Sequence, residues 1–329
     1  MEDALYGERG FYRRGERPAA HFRTSVHASR SYAAALGRLL TELDGALGRP
    51  RPLQLVDVGA GSGELLTQIL AAVPKLAGRL ELIAVELSPR PAGLPAEIQW
   101  LTAPPADITG LIIANEWLDN VPLDIVELTP DGPRLVLVDS ATGAEAVGPE
   151  PPAEDMDWLA RWWPLREAGD RAEVGRARCA AWAEVVARLR RGVALAVDYA
   201  HAQAGRPPYG TLSGFRDGHV VPAVPDGSCD VTAHVALDAC AAAGQRAGAT
   251  TTLLTSQRAA LRGLGVSAVR PSLVLAHSDP RTYVGALCRA GEEAELIAPD
   301  GLGAYGWLIQ CAGTPLPPSL APVRTGEDW

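Results

Sequence analysis

Three places in this 329-residue chain combine residue types and spacings that suit chemistry. The first is Asp57-Val58-Gly59-Ala60-Gly61-Ser62-Gly63-Glu64, with three glycines at alternate positions between two apolar runs. Residues without side chains there permit positive φ and let a ligand approach the free N–H groups at a helix N-terminus. The second is Asn115-Glu116-Trp117-Leu118-Asp119-Asn120-Val121-Pro122, where an amide, two carboxylates and an aromatic follow an apolar run directly. The third is Asp230-Val231-Thr232-Ala233-His234, which on a helix would put a carboxylate and an imidazole on one face. No metal is expected, because His234 has no further ligands at suitable spacing and the five cysteines (179, 229, 240, 288, 311) never form Cys-x-x-Cys.

The elements that must position these residues read as alternating strands and helices. A strand accounts for Leu53, Leu55, Val56 and Val58, and a helix for Leu65, Leu66, Ile69, Leu70 and Val73, so the period changes at the glycines. A second strand over 80–85 ends in Glu86, about 20 residues past the glycines, where a carboxylate at a strand tip can accept bonds from ribose hydroxyls. Short strands are expected at 98–101 and 111–114, with further strands at 193–199, 250–254 and 305–311 and helices near 29–47, 256–263 and 280–290. The fold class is therefore α/β, a Rossmann-like, doubly wound, mostly parallel sheet.

The expected parts are an N-terminal helical segment over 1–50 that covers the cleft and a nucleotide-binding half over 51–148 with an added hairpin turning at Asp131-Gly132. A helical insertion over 149–191, broken at Pro164, carries Trp158, Trp162, Trp163 and Trp182. The second half of the sheet covers 192–313 and holds a long irregular cleft loop at 200–228, and a loose Pro-rich tail covers 314–329. Asp230 is expected to cap a helix running to Ala243 and closed by Gly244.

Spacing separates two nucleotides. A dinucleotide fingerprint needs glycines at the first, third and sixth positions, and the sixth here is Glu64. The series Asp-x-Gly-x-Gly-x-Gly instead resembles motif I of the class I S-adenosylmethionine (SAM) methyltransferases. Methyl transfer from a sulfonium needs an unprotonated lone pair in line with the methyl group, so positioning and electrostatics dominate. For a guanidinium acceptor, Glu116 and Asp119 could form a bidentate clamp; alternatively Asp119 caps the next turn and Glu116 binds backbone N–H groups. Asp198, in Val197-Asp198-Tyr199, either holds the cleft or caps a turn, and His234 is either a structural histidine or a cleft residue.

Most of the chain further resembles the MidA-like SAM-dependent methyltransferases, whose mitochondrial members are arginine methyltransferases acting in respiratory complex I assembly. The likeness rests on residues 56–63 and 115–122, on Val197-Asp198-Tyr199, on Gly210-Thr211-Leu212 with Phe215-Arg216, and on residues 230–235. It implies a seven-stranded class I methyltransferase sheet with SAM bound by Asp57, Gly59, Ala60, Gly61 and Gly63, with Glu86 and Leu87 on the nucleoside and Asn115 and Glu116 lining the space between methyl donor and acceptor. Asn115, Glu116, Asp119 and His234 are the implied catalytic residues. The acceptor is a protein arginine or a small molecule, and a non-catalytic SAM-binding assembly factor is the remaining alternative. The chain departs from the family at Thr24-Ser25-Val26-His27-Ala28-Ser29, where His27 replaces an acidic residue, and at Trp100-Leu101-Thr102, which lacks a carboxylate for the adenine amino group.

Composition agrees with a globular enzyme. Hydrophobic residues make up 47% of the chain, no stretch approaches a membrane span, and the N-terminus has no signal-like apolar core, so a cytoplasmic location is expected. A net charge of −9 without a basic block argues against nucleic acid and for a cationic substrate. The tryptophans of the insertion read as core or subunit interface, so a homodimer is left open.

Overall fold

The computed structural model describes residues 1–13 and 24–323; Phe22 and positions 324–329 of the expected tail lie outside them. The chain divides into two compact units. One comprises 23–115, 188–197 and 249–329, and the other 1–22, 116–187 and 198–248.

The first unit is built on a seven-stranded sheet. Its order is Thr251–Ser256, Gly306–Ala312, Leu189–Asp198, Ile108–Asn115, Leu53–Val58, Leu80–Val85 and Ile98–Leu101. The last five are parallel to their neighbours, and Thr251–Ser256 runs antiparallel to Gly306–Ala312. Asp57 pairs with Ala84 on one side and Ile113 on the other, so the strands carrying the glycine loop, Glu86 and Asn115 finish at one edge. The central strands are continuous buried apolar runs, as a sheet covered on both faces requires. The helix Arg30–Ala46 presents Leu36, Leu39, Leu40 and Leu43 to the core at helical spacing and is capped by Ser29, whose hydroxyl accepts from Ser31 N–H.

Two expectations fail in this unit. The end of the chain is anchored up to residue 323, with Leu320 fully buried and Ser319 N–H donating to Glu42. An additional helix, Leu273–Ser278, precedes Pro280–Leu296. Four of the cysteines are buried as expected of small core residues, but Cys288 is exposed.

The second unit holds a four-stranded antiparallel sheet in the order Glu145–Val147, Gly132–Val138, Ile125–Thr129 and Arg171–Glu173, with the hairpin turning at Asp131-Gly132. The insertion contains helices Ala153–Trp162 and Arg176–Ala187, but the strand Arg171–Glu173 separates them. The expected irregular stretch at 200–228 contains short strands at Ala200–His201, Ser213–Arg216 and His219–Val221.

The expected helix from Asp230 to Ala243 is replaced by strands Asp230–Thr232 and Val235–Ala236 followed by helix Leu237–Arg246, in which Gly244 is interior. The β-branched Val231, Thr232 and Val235 favour extended backbone, and pairing of Asp230–Thr232 with Ser213–Phe215 supplies hydrogen bonds that no local pattern reveals. Asp230 and His234 therefore share no helix face.

Candidate active site

The glycine loop is made by its own backbone. Gly59 and Ala60 N–H both donate to Val85 C=O, at 2.9 and 3.3 Å, and Gly63 N–H donates to Ala60 C=O at 2.8 Å. These bonds hold Gly59, Gly61 and Gly63 at φ of 73°, 57° and 78°. Such values disfavour any L side chain. A Cβ at Gly61 would point into open space, whereas one at Gly63 would lie 2.8 Å from a methyl of Leu94. Gly63 caps the helix Glu64–Ala72, and Glu64 occupies the first turn, where the helix dipole favours a carboxylate.

Around this loop the charge is negative. Glu86 accepts from Gly61 N–H at 3.0 Å and from Ser88 N–H at 2.9 Å. Asp57 is buried, and desolvation together with Glu86 and Glu64 pushes its carboxyl up to about 8. Leu87 is exposed, and Ala60 is buried. Asn115, at the tip of its strand, accepts from Tyr32 OH at 2.5 Å, and the Tyr32 ring stands edge-on to Trp307. An open backbone cradle at Gly61 and the Glu86 carboxylate suit a ligand that carries ribose hydroxyls, and the nearby Glu64, Glu86 and Asp57 carboxyls suit positive charge on it.

In the second unit, the chain leaving Asn115 enters Glu116 at φ 51° and then the 3-10 turn Leu118–Asn120. Asp198 is fully buried and accepts from Leu118 N–H at 2.9 Å and Asp119 N–H at 3.2 Å through one oxygen. Asp119 is buried too and accepts from the Thr232 hydroxyl at 2.7 Å, while backbone N–H groups of its own turn also hold its carboxyl down. The other oxygens of Asp119 and Asp198 are buried without a hydrogen-bond partner among the described residues. Asp230 accepts from Asn120 Nδ2 at 3.0 Å and Tyr12 OH at 3.2 Å. Burial raises all three acids, Asp230 to about 7, and raises Asp198 well above the ordinary carboxylate range, with Asp119 and Glu116 adding to it.

The compensating cation is Arg178, which is 1% exposed. Its guanidinium donates to the carbonyls of Val121 at 3.0 Å, Ala233 at 2.7 Å, His234 at 3.0 Å and Asp119. Glu173, also buried, accepts from Thr211 hydroxyl and N–H and from Leu212 N–H, and the Thr211 hydroxyl accepts from His234 N–H. The His234 ring is exposed and stacks on Tyr199, with centroids 5.7 Å apart. Desolvation by its neighbours and the charge of Arg178 lower its pKa. His201 lies 6.4 Å from His234, edge-on to Trp163, and burial drives it down to about 3, so it stays neutral.

Sequence reading singles out Asn115, Glu116, Asp119 and His234; the structure packs Arg178, Glu173 and Tyr12, to which that reading gives no role, into the same network. One signal was present for Arg178. With Trp182, Val185 and Val186 it occupies the buried stripe of its helix, a position where an arginine must find partners. His27 lies on the short helix Ser25–Ala28, and its ring bonds the Thr24 hydroxyl at 2.7 Å.

The seven-stranded sheet with a glycine-lined helix N-terminus at its strand tips defines a class I SAM-dependent methyltransferase. Residues 35–255 match the family described as “Putative S-adenosyl-L-methionine-dependent methyltransferase”, and the chain belongs to that family. A superfamily member and “likely methyl transferase” from Burkholderia thailandensis, crystallised with S-adenosyl-homocysteine, is similar over 100% of this chain and 91% of its own, at 27% identity and a TM-score of 0.83. The native crystal structure of an uncharacterised protein from Burkholderia thailandensis is similar at 27% identity and a TM-score of 0.82, over 100% of this chain and 90% of its own. No curated protein matches. The cofactor is accordingly SAM. Among the described residues no helix is long and apolar enough to cross a membrane.

Proposed function

We propose that this enzyme methylates an arginine side chain of a protein substrate, as do the mitochondrial members of the MidA-like family that its motifs resemble. The observation that carries the reading is the concentration of carboxyls behind the Asn115–Pro122 segment. Glu116, Asp119, Asp198 and Asp230 belong to one unit, and two of them keep a buried oxygen without a hydrogen-bond partner among the described residues. An arginine fork presents five donors and a permanent positive charge, the complement that such oxygens lack.

Bound SAM supplies an electrophilic methyl group on a sulfonium. Gly59, Ala60, Gly61 and Gly63 would bring their backbone to it, Glu86 would accept from the ribose hydroxyls, Leu87 would border the adenine and Asp57 would answer its positive charge. Asn115, which accepts from Tyr32 OH, would orient the polar end of the cofactor. Glu116 would hold the guanidinium and take the proton that the attacking nitrogen gives up as its new N–C bond forms and the bond from that methyl to the sulfonium sulfur breaks, the leaving group being neutral S-adenosyl-homocysteine. Asp119 and Asp198 stabilise the guanidinium's charge, and His234 borders the acceptor. A cytoplasmic enzyme, alone or as a homodimer, fits this reading.

A small-molecule acceptor is the second reading. It is favoured by the Tyr199–His234 stack, which is half-buried at Tyr199 and exposed at His234 and suits a planar apolar group. Incubating the enzyme with labelled SAM and cell lysate separates the two: label in a protein band, released as methylarginine on hydrolysis, supports the first, and label confined to an organic extract supports the second.

A further inference from the structure

Arg178 has no place in the sequence motifs, yet it is among the most deeply buried polar side chains of the described residues. Its donors meet backbone carbonyls. Two belong to Asp119 and Val121, at the C-terminal side of the 3-10 turn Leu118–Asn120, and two to Ala233 and His234. Asp198 meets the other side of that turn, accepting from Leu118 and Asp119 N–H. A carboxylate on the N–H end and a guanidinium on the C=O end complement the dipole of the turn from both sides. Since 119 and 233 are far apart in sequence, long-range bonds set one segment against the other: the side-chain pairs Thr232–Asp119 and Asn120–Asp230, and the guanidinium that bridges the two backbones.

We propose that Arg178 is the positioning residue of the acceptor site: one buried guanidinium ties the Asp119–Val121 carbonyls to the Ala233–His234 carbonyls and so sets where Glu116, Asp119 and His234 stand. The proposal rests on the reading of the carboxylate segment as the acceptor site. A guanidinium suits the task because its planar fork reaches several acceptors at fixed angles, whereas a lysine ammonium is a point charge on a flexible stem. It also serves a second end. The groups facing it are Asp119, Asp198, Glu173 and Cys240, and the acid pair is faced in turn by Glu116 and Asp230. Its charge offsets the repulsion within this set and favours the ionised form of the two aspartates.

The test uses full-length protein loaded with S-adenosyl-homocysteine and two variants, Arg178→Met and Arg178→Lys. Hydrogen exchange reads the geometry, and carboxyl infrared bands, assigned through Asp119→Asn and Asp198→Asn, read the titration of the acid pair. In both variants the amides of 118–121 and 233–234 should lose protection together, by about tenfold or more, with the glycine-loop amides unchanged. In Arg178→Met the acid pair should ionise about one pH unit higher than in the wild type, and in Arg178→Lys near the wild-type midpoint. A purely structural role would loosen the segments without moving the midpoint in Arg178→Met alone. Unchanged exchange in Arg178→Lys, or an unmoved midpoint in Arg178→Met, overturns the proposal. Should Arg178→Met fail to fold, the Arg178→Lys pattern decides: selective loss of protection supports the proposal, and protection equal to wild type ends it. None of these readouts requires turnover. The arginine reading is tested apart from them, by titrating the same wild-type complex with Nα-acetyl-arginine methylamide; absence of binding there sinks the acceptor assignment and leaves the Arg178 result standing.

Discussion

The glycine loop and the carboxylate segment lie in different units and are held in opposite ways. The bonds that shape Gly59–Gly63 come from the loop itself, from the neighbouring strand at Val85 and from Glu86 just past its tip, and the loop's own contribution to them is backbone N–H and C=O. The segment after Asn115 is held by side chains distant in sequence: Asp198, Arg178, Thr232 and, through Asn120, Tyr12 and Asp230. A site made of backbone tolerates change around it, whereas one made of buried charges depends on every partner being present, since an unpaired buried charge is costly. On the proposed reading, the glycine loop should therefore fail at its glycines, and the carboxylate segment should fail at residues that touch no substrate.

Four substitutions sharpen or break that contrast. The largest effect is expected from Glu116→Gln, which should lower methyl transfer from labelled SAM by about 100-fold or more while leaving SAM affinity, read by calorimetry, within about twofold. Comparable loss of SAM affinity would mean that the two ends are not separable. Next, Gly61→Val should weaken SAM binding by about 100-fold, because a β-branched residue is strained at φ 57° and its side chain fills the open cradle.

A proton balance follows from Asp57. Its folded-state pKa of about 8 lies above the ordinary carboxylate value, so in the free protein its contribution to stability is full below about pH 4 and is lost as pH rises toward 8. A cationic ligand reverses the preference. SAM binding should therefore strengthen from pH 6 to 8 and release a proton, seen as a buffer-dependent enthalpy, and Asp57→Asn should abolish both effects. The smallest effect is structural: Gly63→Ala, at φ 78° and against Leu94, should cost about 1–2 kcal/mol in denaturant unfolding. Stability unchanged within error would show that the loop relaxes in a way its hydrogen bonds do not suggest.

The same contrast explains how much of the molecule could be read in advance. Leu53–Val58, Leu80–Val85 and Ile98–Leu101 were legible to the residue, because buried parallel strands are short apolar runs and the change of period at the glycines is local. Glu86 was legible because the strand–helix–strand unit fixes its distance from the loop. Residues 230–236 were misread, since the alanine-rich run after Leu237 extends the helical pattern backward and the strand partner at Ser213–Phe215 is invisible locally. Arg178 and Glu173 are hard to read because their partners come from 50 or more residues away or, for Glu173, from the 211–212 turn, and the local sign for Arg178, its place on the buried stripe of its helix, names none of those partners.

Transfer of label from methyl-labelled SAM to protein arginine tests the central claim most directly. The purified enzyme, incubated with cell lysate, should label a discrete protein band whose acid hydrolysate contains methylarginine, and Glu116→Gln should abolish that label. Label found only in small molecules, with every protein band unlabelled, would contradict the account.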